Sequence, residues 1–172
     1  MAVLDLEVSY SDGGWQARFG QHLWPCAIGS GGVRGDKSEG DGATPAGCWP
    51  IRRVLYRADR LEPPATVFPC DPLQPHDGWC DAPGDPQYNR LVGLPYGARH
   101  ERLWRAQDVY DCIVVLGYND RPVRDGAGSA IFLHVARKDF AATEGCVALL
   151  RGDLLEFLSA ASKSSQVCVQ LP

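Results

Sequence analysis

The sequence predicts a mainly β protein, a β-sandwich or mixed sheet with one packed C-terminal helix and a long loop-rich insertion. Nineteen glycines and thirteen prolines in 172 residues favour many turns over a helix bundle. Several short segments alternate apolar and polar residues, which is the period of a half-buried strand. Only one segment has the apolar spacing of an amphipathic helix. The length suits a single domain, residues 1–172.

The N-terminal part of the chain is predicted to contain four strands. Residues 3–10 alternate, and residues 12–14 (DGG) have the composition of a hairpin turn into a second alternating segment, 15–19. Glycine-rich residues 29–47 contribute no core material, so we expect a long loop whose backbone can approach a ligand closely. The two strands expected on either side of this loop are 23–28 and 48–56.

The middle of the chain, about residues 58–108, is predicted to be an insertion. Residues 58–100 carry eight of the thirteen prolines and show no sustained periodicity. A loop of this length is usually either functional or disordered, and its aromatic residues argue against disorder. We therefore expect a packed insertion beside the functional site, followed by a short helix at 100–108.

The C-terminal part is predicted to combine buried strands with one helix. Continuous apolar runs rich in β-branched residues indicate central strands, and polar residues 119–122 indicate a turn between two of them. A helix is expected at 151–163, where Asp153 and Glu156 have the spacing of a capping box and an apolar stripe follows. The strands expected in this part are 109–118, 130–135, 147–150 and 166–171.

Composition and charge limit the class of partner. The formal net charge is −4, and no basic stretch is longer than Arg52-Arg53, so we expect neither nucleic acid nor a membrane as a partner. The sequence predicts no metal ion, cofactor or particular protein partner. The N-terminus lacks the charged start and apolar core of a signal peptide. We therefore expect a cytoplasmic protein, or a periplasmic one if the true start lies upstream.

The seven cysteines agree with a reducing compartment, since their number is odd and no CxxC pair indicates a zinc or redox site. The cysteines expected to be small buried residues within strands are Cys26, Cys112 and Cys168. Those expected to be free thiols lie in turn-rich sequence and are Cys48, Cys70 and Cys80. A disulfide among them is expected only if the protein is exported.

A histidine and a cysteine lie at the ends of two apolar segments joined by a short polar connection. If the segments form neighbouring buried strands, the imidazole of His134 lies beside the thiol of Cys146. Such a histidine can accept the thiol proton and make the sulfur a nucleophile. A cysteine in an apolar strand is more often simply a core residue, and a metal site would need a further close ligand, which is not present.

The residues around the cysteine suit this chemistry. Gly145 has no side chain, so the amides of Gly145 and Cys146 can face a carbonyl as an oxyanion hole. Thr143 offers a hydroxyl to hold the turn. The second ring nitrogen of His134 needs a partner, and no Asp or Asn is obviously placed for it. A nearby backbone carbonyl is the expected partner.

Several separated segments resemble the catalytic domain of the YkuD-type L,D-transpeptidase family. GSAIFLHVAR followed by TEGCVAL is similar to the family's histidine followed by [ST]-x-G-C. GVRGDKSEGDGATPAG resembles its glycine-rich segment ending in T-P-x-G. WCDAPGDPQYNR, GLPYGARHERLW and DCIVVLGYND resemble the branch whose motif reads TEGC. The resemblance covers nearly the whole chain, with the segments in the same order.

The resemblance implies a β-sandwich domain whose cysteine attacks the carbonyl of the third residue of a peptidoglycan stem peptide. The family's cysteine and histidine correspond to Cys146 and His134, and its Ser/Thr and glycine correspond to Thr143 and Gly145. The terminal D-alanine leaves and a thioester forms. An amine then resolves the thioester in cross-linking, or water resolves it in a carboxypeptidase.

The chain also departs from the commoner family motif. Glu144 replaces a histidine, and Ala148 stands where an arginine or asparagine is usual, so the group that holds the substrate carboxylate must come from elsewhere. The candidates for it are Arg137 and Arg34, each of which is otherwise a solvated surface residue. Tyr118 is expected to line the pocket or donate to the oxyanion, unless it is a core-rim residue. Weaker candidates for substrate binding are Trp79, Asp81, Asn89 and His100.

Three functions follow from these observations. A cytosolic enzyme would meet only soluble muropeptides, and water would be its natural acceptor, so an L,D-carboxypeptidase in peptidoglycan recycling is the first expectation. A transpeptidase that cross-links peptidoglycan in the periplasm is the alternative. A non-catalytic module that binds cell-wall peptides is the third, although an intact His134 and Cys146 argue against it.

Overall fold

A computed structural model describes residues 3–172, which form fourteen strands and one helix. The strands are β1 Leu6–Ser11, β2 Gly14–Phe19, β3 His22–Pro25, β4 Val33–Arg34, β5 Thr44–Pro45, β6 Gly47–Tyr56, β7 Cys70–Pro72, β8 Asp77–Cys80, β9 Leu91–Gly93, β10 His100–Arg102, β11 Cys112–Leu116, β12 Phe132–Val135, β13 Val147–Leu149 and β14 Gln166–Val169. The helix is α1 Arg151–Ala160. The mainly β prediction is confirmed.

The largest sheet has nine strands and is built around the long strand β6. The strand order is β13-β12-β11-β6-β14-β1-β2-β3, and β7 also pairs with β6. The first half of β6 pairs with β14 and its second half with β11. The sheet is mixed, since β12–β13, β1–β14 and β6–β7 are parallel pairs. One strand therefore carries the chain from one half of the sheet to the other.

The main hydrophobic core lies between the two halves of this sheet and the helix. Side chains alternate along β11, so Val114 joins this core while Ile113 joins a second core on the other face. Both faces of β11 are thus buried, which explains its continuous apolar sequence. The helix contributes the fully buried Leu154, Phe157 and Leu158. The predicted β-sandwich or mixed sheet with one packed helix is the architecture observed.

The predicted insertion is packed and covers the second face. It contains a three-stranded antiparallel sheet of order β10-β8-β9. Trp79 and Leu103 from the insertion join the second core with Phe132 of β12, and the Trp79 and Phe132 rings meet edge to face at 5.1 Å. Cys146 belongs to the same core. The insertion therefore helps to build the environment of the cysteine.

The glycine-rich segment is ordered and lies against the cysteine turn. Strands β4 and β5 within it pair in parallel. A Cβ atom on Gly29 would lie 2.1 Å from the carbonyl oxygen of Gly42 and 2.9 Å from Gly145 Cα. Only glycine fits between these backbones, which brings the segment into direct contact with the loop before Cys146.

Two local predictions are wrong. Residues 100–108 contain no helix, because His100–Arg102 is strand β10 and pairs with β8. Helix α1 begins at Arg151 with Leu150 as its N-cap and has no side-chain capping bond, so Asp153 lies in the first turn rather than at a capping box. Tertiary pairing of β10 outweighed a weak local helix pattern.

The cysteines were predicted only in part. Cys26 and Cys112 are buried free thiols as expected, and Cys70 and Cys80 are also free. Cys48 and Cys168, expected as a free thiol and a buried strand residue, instead form a disulfide. They are direct partners in the antiparallel pair β6–β14. Their separation of 120 residues in sequence hid this pairing.

Replacement of Leu154 with alanine tests the role of the helix in the main core. Leu154 is fully buried, so Leu154→Ala is expected to reduce the free energy of unfolding by about 2–5 kcal/mol. The neighbouring Leu155 is only partly buried, and Leu155→Ala is the matched control with a clearly smaller loss. Urea denaturation measures both variants. Equal losses would contradict the placement of the helix.

Candidate active site

The pairing of β12 with β13 brings the histidine and the cysteine together. The two strands are parallel, with His134 opposite Ala148 and Leu133 opposite Val147. Cys146 precedes Val147 by one residue, so the alternation of side chains places its sulfur on the same face as His134. Both residues are buried, with 7% and 6% of their surface exposed. The predicted proximity of the two residues follows from this register.

His134 is held as a neutral base by the backbone. Its Nδ1 lies 3.0 Å from the carbonyl oxygen of Val135, which can only accept, so Nδ1 carries the proton and Nε2 has the free lone pair. The pKa of His134 is lowered to about 4, chiefly by burial and in smaller part by the positive charges of Arg105 and Arg137, while the hydrogen bond to the Val135 carbonyl opposes them. The backbone carbonyl is the kind of orienting partner that the sequence predicted.

Cys146 is held as a neutral thiol. Its Sγ donates to the carbonyl oxygen of Ala130 at 3.1 Å and accepts from the amide of Phe132 at 3.4 Å. Burial raises the pKa of Cys146 to about 12, and the negative charge of Glu101 raises it too, while the Phe132 amide and the Lys37 cation oppose them. The resting pair therefore consists of a thiol and an imidazole, without an ion pair.

The turn before the cysteine is fixed by Thr143, as predicted. The Thr143 hydroxyl donates to the Cys146 carbonyl at 2.6 Å and accepts from the Gly145 amide at 3.1 Å. Gly145 has a φ of 134°, and a Cβ there would lie 2.8 Å from the carbonyl oxygen of Ala43. Because the Gly145 amide is engaged, the Cys146 amide is the remaining candidate of the predicted oxyanion pair.

Both residues line a cleft of about 780 Å³ between the glycine-rich segment, the insertion and the turn before β13. Its charged side chains are four cations and four carboxylates, namely Lys37, Arg99, Arg105, Arg137, Glu39, Asp81, Glu101 and Glu144. Six of these eight are engaged in ion pairs with one another or with Asp41. Within residues 3–172, Arg137 and Glu144 have no opposite charge within 4.0 Å.

Five of the residues selected from sequence line the cleft together, namely Cys146, His134, Thr143, Arg137 and Asp81. Gly145 shapes the turn beside them. Asp81 forms an ion pair with Arg99 at 3.0 Å, while Arg137 is exposed and free of such a partner among the described residues. Of the two arginines predicted to hold the substrate carboxylate, only Arg137 therefore lines the cleft with Cys146 and His134.

The other selected residues lie outside the cleft lining. Arg34 is exposed and pairs with Asp36. The Tyr118 hydroxyl donates to the carbonyl oxygen of Ala127 at 2.6 Å, which corrects its expected place at the pocket wall. His100 contacts the carbonyl oxygen of Ala98 through Nδ1. Trp79 and Asn89 are buried and hydrogen-bond to each other at 2.9 Å behind the site.

The sequence prediction missed Lys37, the buried cation of the glycine-rich segment. Its side chain is 4% exposed and forms an ion pair with Asp41 at 2.8 Å. A Cβ on Gly145 would lie 3.5 Å from its Nζ, so the ammonium group is next to the cysteine turn. Its i,i+4 spacing to Asp41 was visible in the sequence, but only the fold brings it to Cys146.

A family model for the L,D-transpeptidase catalytic domain, YkuD, matches residues 7–169. The chain belongs to this family. No curated protein and no solved structure matches it. The family acts on the peptide stems of peptidoglycan, so the chain is an L,D-transpeptidase-family enzyme of the cysteine acyl-transfer type.

Two further findings describe the enzyme. Residues 3–172 contain no cluster of three or more His, Cys, Asp or Glu side chains that could hold a metal ion. Their one helix has ten residues, and it is neither long nor apolar enough to cross a membrane.

The two departures from the commoner YkuD motif are visible in the site. Ala148 lies opposite His134 in the β12–β13 register and lines the cleft, so this position places only a methyl group beside the imidazole. Glu144 is exposed at the cleft and brings a carboxylate next to the cysteine turn. The cleft therefore has a methyl group and a carboxylate at the two positions that differ from the commoner motif.

The pH dependence of alkylation tests the neutral resting pair. Cys146 is expected to react with iodoacetamide about tenfold faster for each pH unit from about pH 7 to 10, because the thiolate fraction grows tenfold per unit below a pKa of about 12. Peptide-level mass spectrometry separates Cys146 from the half-buried Cys70, and Cys146→Ser identifies its peptide. A rate that levels off below about pH 8 would indicate a preformed ion pair instead.

Proposed function

We propose that this enzyme is an L,D-carboxypeptidase that cleaves the bond before the terminal D-alanine of peptidoglycan tetrapeptide stems and transfers the acyl group to water. The observation that carries this proposal is a cation free of carboxylate partners, Arg137, in the cleft of the Cys146–His134 pair. An enzyme that removes one C-terminal residue must recognise the free carboxylate next to the scissile bond. A guanidinium group matches a carboxylate in two parallel hydrogen bonds.

Arg137 lies close to His134 in the chain and influences its basicity. It follows His134 by three residues, directly after β12, and its charge is close enough to lower the pKa of the imidazole. A bound substrate carboxylate would neutralise that charge. Substrate binding would thereby make His134 a stronger base at the moment it is needed.

The chemistry proceeds from a neutral pair. As the carbonyl carbon of the third stem residue approaches Cys146, His134 Nε2 accepts the thiol proton and the sulfur–carbon bond forms. The Cys146 amide faces the developing oxyanion. The carbon–nitrogen bond then breaks, the imidazolium returns the proton to the leaving amine, and D-alanine and a thioester result. Water, deprotonated by His134, hydrolyses the thioester and restores the thiol.

Water as the acceptor agrees with the balance of charge in the cleft. Three of the four cations, Lys37, Arg99 and Arg105, are already paired with carboxylates. One free cation is enough for one stem carboxylate, whereas a second stem would bring further carboxylates towards Asp81, Glu101 and Glu144. Soluble muropeptides in the cytosol are the proposed substrates, in a recycling role.

Transpeptidation is the second candidate, and two observations favour it. Glu144 is exposed at the cleft with no cationic partner in the described chain, and its carboxylate would attract an acceptor ammonium group. The disulfide between Cys48 and Cys168 is of a kind that persists in oxidising compartments such as the periplasm. Polymeric peptidoglycan would be the substrate there.

Incubation with a disaccharide tetrapeptide, with and without an added D-amino acid, distinguishes the candidates. Mass spectrometry is expected to show loss of D-alanine alone, with Cys146→Ser as the inactive control. Exchange of the D-amino acid or formation of a dimer would instead indicate a transpeptidase. An unchanged tetrapeptide in both reactions would refute both candidates for this substrate.

Replacement of Arg137 tests the carboxylate contact. Arg137→Ala is expected to raise KM for the tetrapeptide about 10- to 100-fold, because a hydrogen bond to a charged group contributes about 1.5–3 kcal/mol. Lys138→Ala is the matched control, since Lys138 is the adjacent exposed cation and does not line the cleft. Steady-state kinetics of D-alanine release measure both variants. Similar KM values for the two would remove Arg137 from substrate binding.

A further inference from the structure

The sulfur of Cys146 is held by the short segment before and within β12. The Ala130 carbonyl accepts from the thiol at 3.1 Å, and the Phe132 amide donates to the sulfur at 3.4 Å. Ala130 has a φ of 53°, a left-handed conformation that residues with a Cβ avoid unless their surroundings impose it. The direction of its carbonyl, and hence of the thiol, depends on whatever imposes this conformation.

Asn89 of the insertion is the side chain that contacts this backbone. Its Oδ1 accepts from the Ala130 amide at 3.0 Å and from Trp79 Nε1 at 2.9 Å. Its Nδ2 donates to the carbonyl oxygens of Tyr118 at 3.1 Å and Asn119 at 2.8 Å. Asn89 is 7% exposed. The amide oxygen accepts two hydrogen bonds and the amide nitrogen donates two, so every donor and acceptor of the Asn89 side chain is used. The orientation of the side-chain amide is therefore determined.

We propose that Asn89 is a positioning residue for the nucleophile, holding Ala130 in its left-handed conformation so that the Ala130 carbonyl directs the Cys146 thiol. The proposal rests on the role of Cys146 given above. Asn89 touches neither the sulfur nor the cleft, and it acts through Ala130. This role would give the insertion a part in catalysis, because β8 contains Trp79 and the following turn contains Asn89.

A second asparagine has similar features and provides a comparison. Asn89 and Asn119 both have a positive φ, of 57° and 49°. The Asn119 side chain bonds to the Arg124 backbone and to the carbonyl oxygen of Gly128. These contacts stabilise its own loop and do not include Ala130. Loss of either side chain removes at least three hydrogen bonds to the backbone, but only loss of Asn89 releases the backbone that holds the thiol.

The test compares Asn89→Gly with Asn119→Gly. Glycine adopts a positive φ freely, so each variant removes the side-chain bonds without straining the backbone. Three quantities are measured for each folded protein: the iodoacetamide alkylation rate of Cys146 between pH 7 and 10 by peptide-level mass spectrometry, kcat and KM for D-alanine release from the disaccharide tetrapeptide, and Tm.

Asn89→Gly is expected to alkylate Cys146 about tenfold faster than wild type at a given pH, because loss of the thiol's acceptor favours the thiolate. It is also expected to lower kcat about tenfold or more with little change in KM, because the Cys146 sulfur is no longer oriented towards the substrate carbonyl carbon. Asn119→Gly is expected to keep the wild-type alkylation profile and kcat, whatever its Tm. Wild-type alkylation and kcat in Asn89→Gly, with only a lower Tm, would overturn the proposal.

Asn89→Asp decides the question if the glycine variant does not fold. Aspartate keeps the oxygen that accepts from the Ala130 amide and tolerates the left-handed backbone, but it loses the two donations to the Tyr118 and Asn119 carbonyls. This variant is therefore expected to retain the slow alkylation of Cys146 with a lower Tm. Tenfold faster alkylation in it would overturn the proposal. Alkylation needs no substrate, so inactivity of the wild-type enzyme on the tetrapeptide would refute the proposed function and leave this inference intact.

Discussion

The hydrogen bond from the Cys146 thiol to the Ala130 carbonyl is the contact on which the site depends. It joins the turn before β13 to the segment before β12, and it lies under the insertion in the second core. Burial there favours the neutral forms of both Cys146 and His134. The thiolate is thus disfavoured in the resting site.

Electrostatic pairing leaves few free charges in the cleft. Most of its charges neutralise one another, and Lys37 is held beside the cysteine turn by Asp41. Arg137 and Glu144, which both lie between His134 and Cys146 in sequence, have no opposite charge within reach among residues 3–172. Since Ala148 contributes only a methyl group, these two exposed side chains are the proposed contacts for a charged substrate.

The sequence was informative wherever local spacing determines the structure. Apolar runs located the strands that carry His134 and Val147, and the [ST]-x-G-C spacing located Thr143, Gly145 and Cys146. The same reasoning could not place Tyr118 or Arg34, because the direction of a loop side chain depends on partners distant in sequence. It assigned a helix to residues 100–108, where pairing with β8 produced a strand instead.

By itself, the sequence determined the mainly β class and the family and predicted the reactive pair, because these depend on the period of side chains and on residues close together in the chain. Only the tertiary structure decided the neutral state of the pair, the placement of Lys37, the Cys48–Cys168 disulfide and the contact of Asn89 with Ala130. Each of these needs two segments that are far apart in the chain to meet, and burial and register exist only once the sheet has formed.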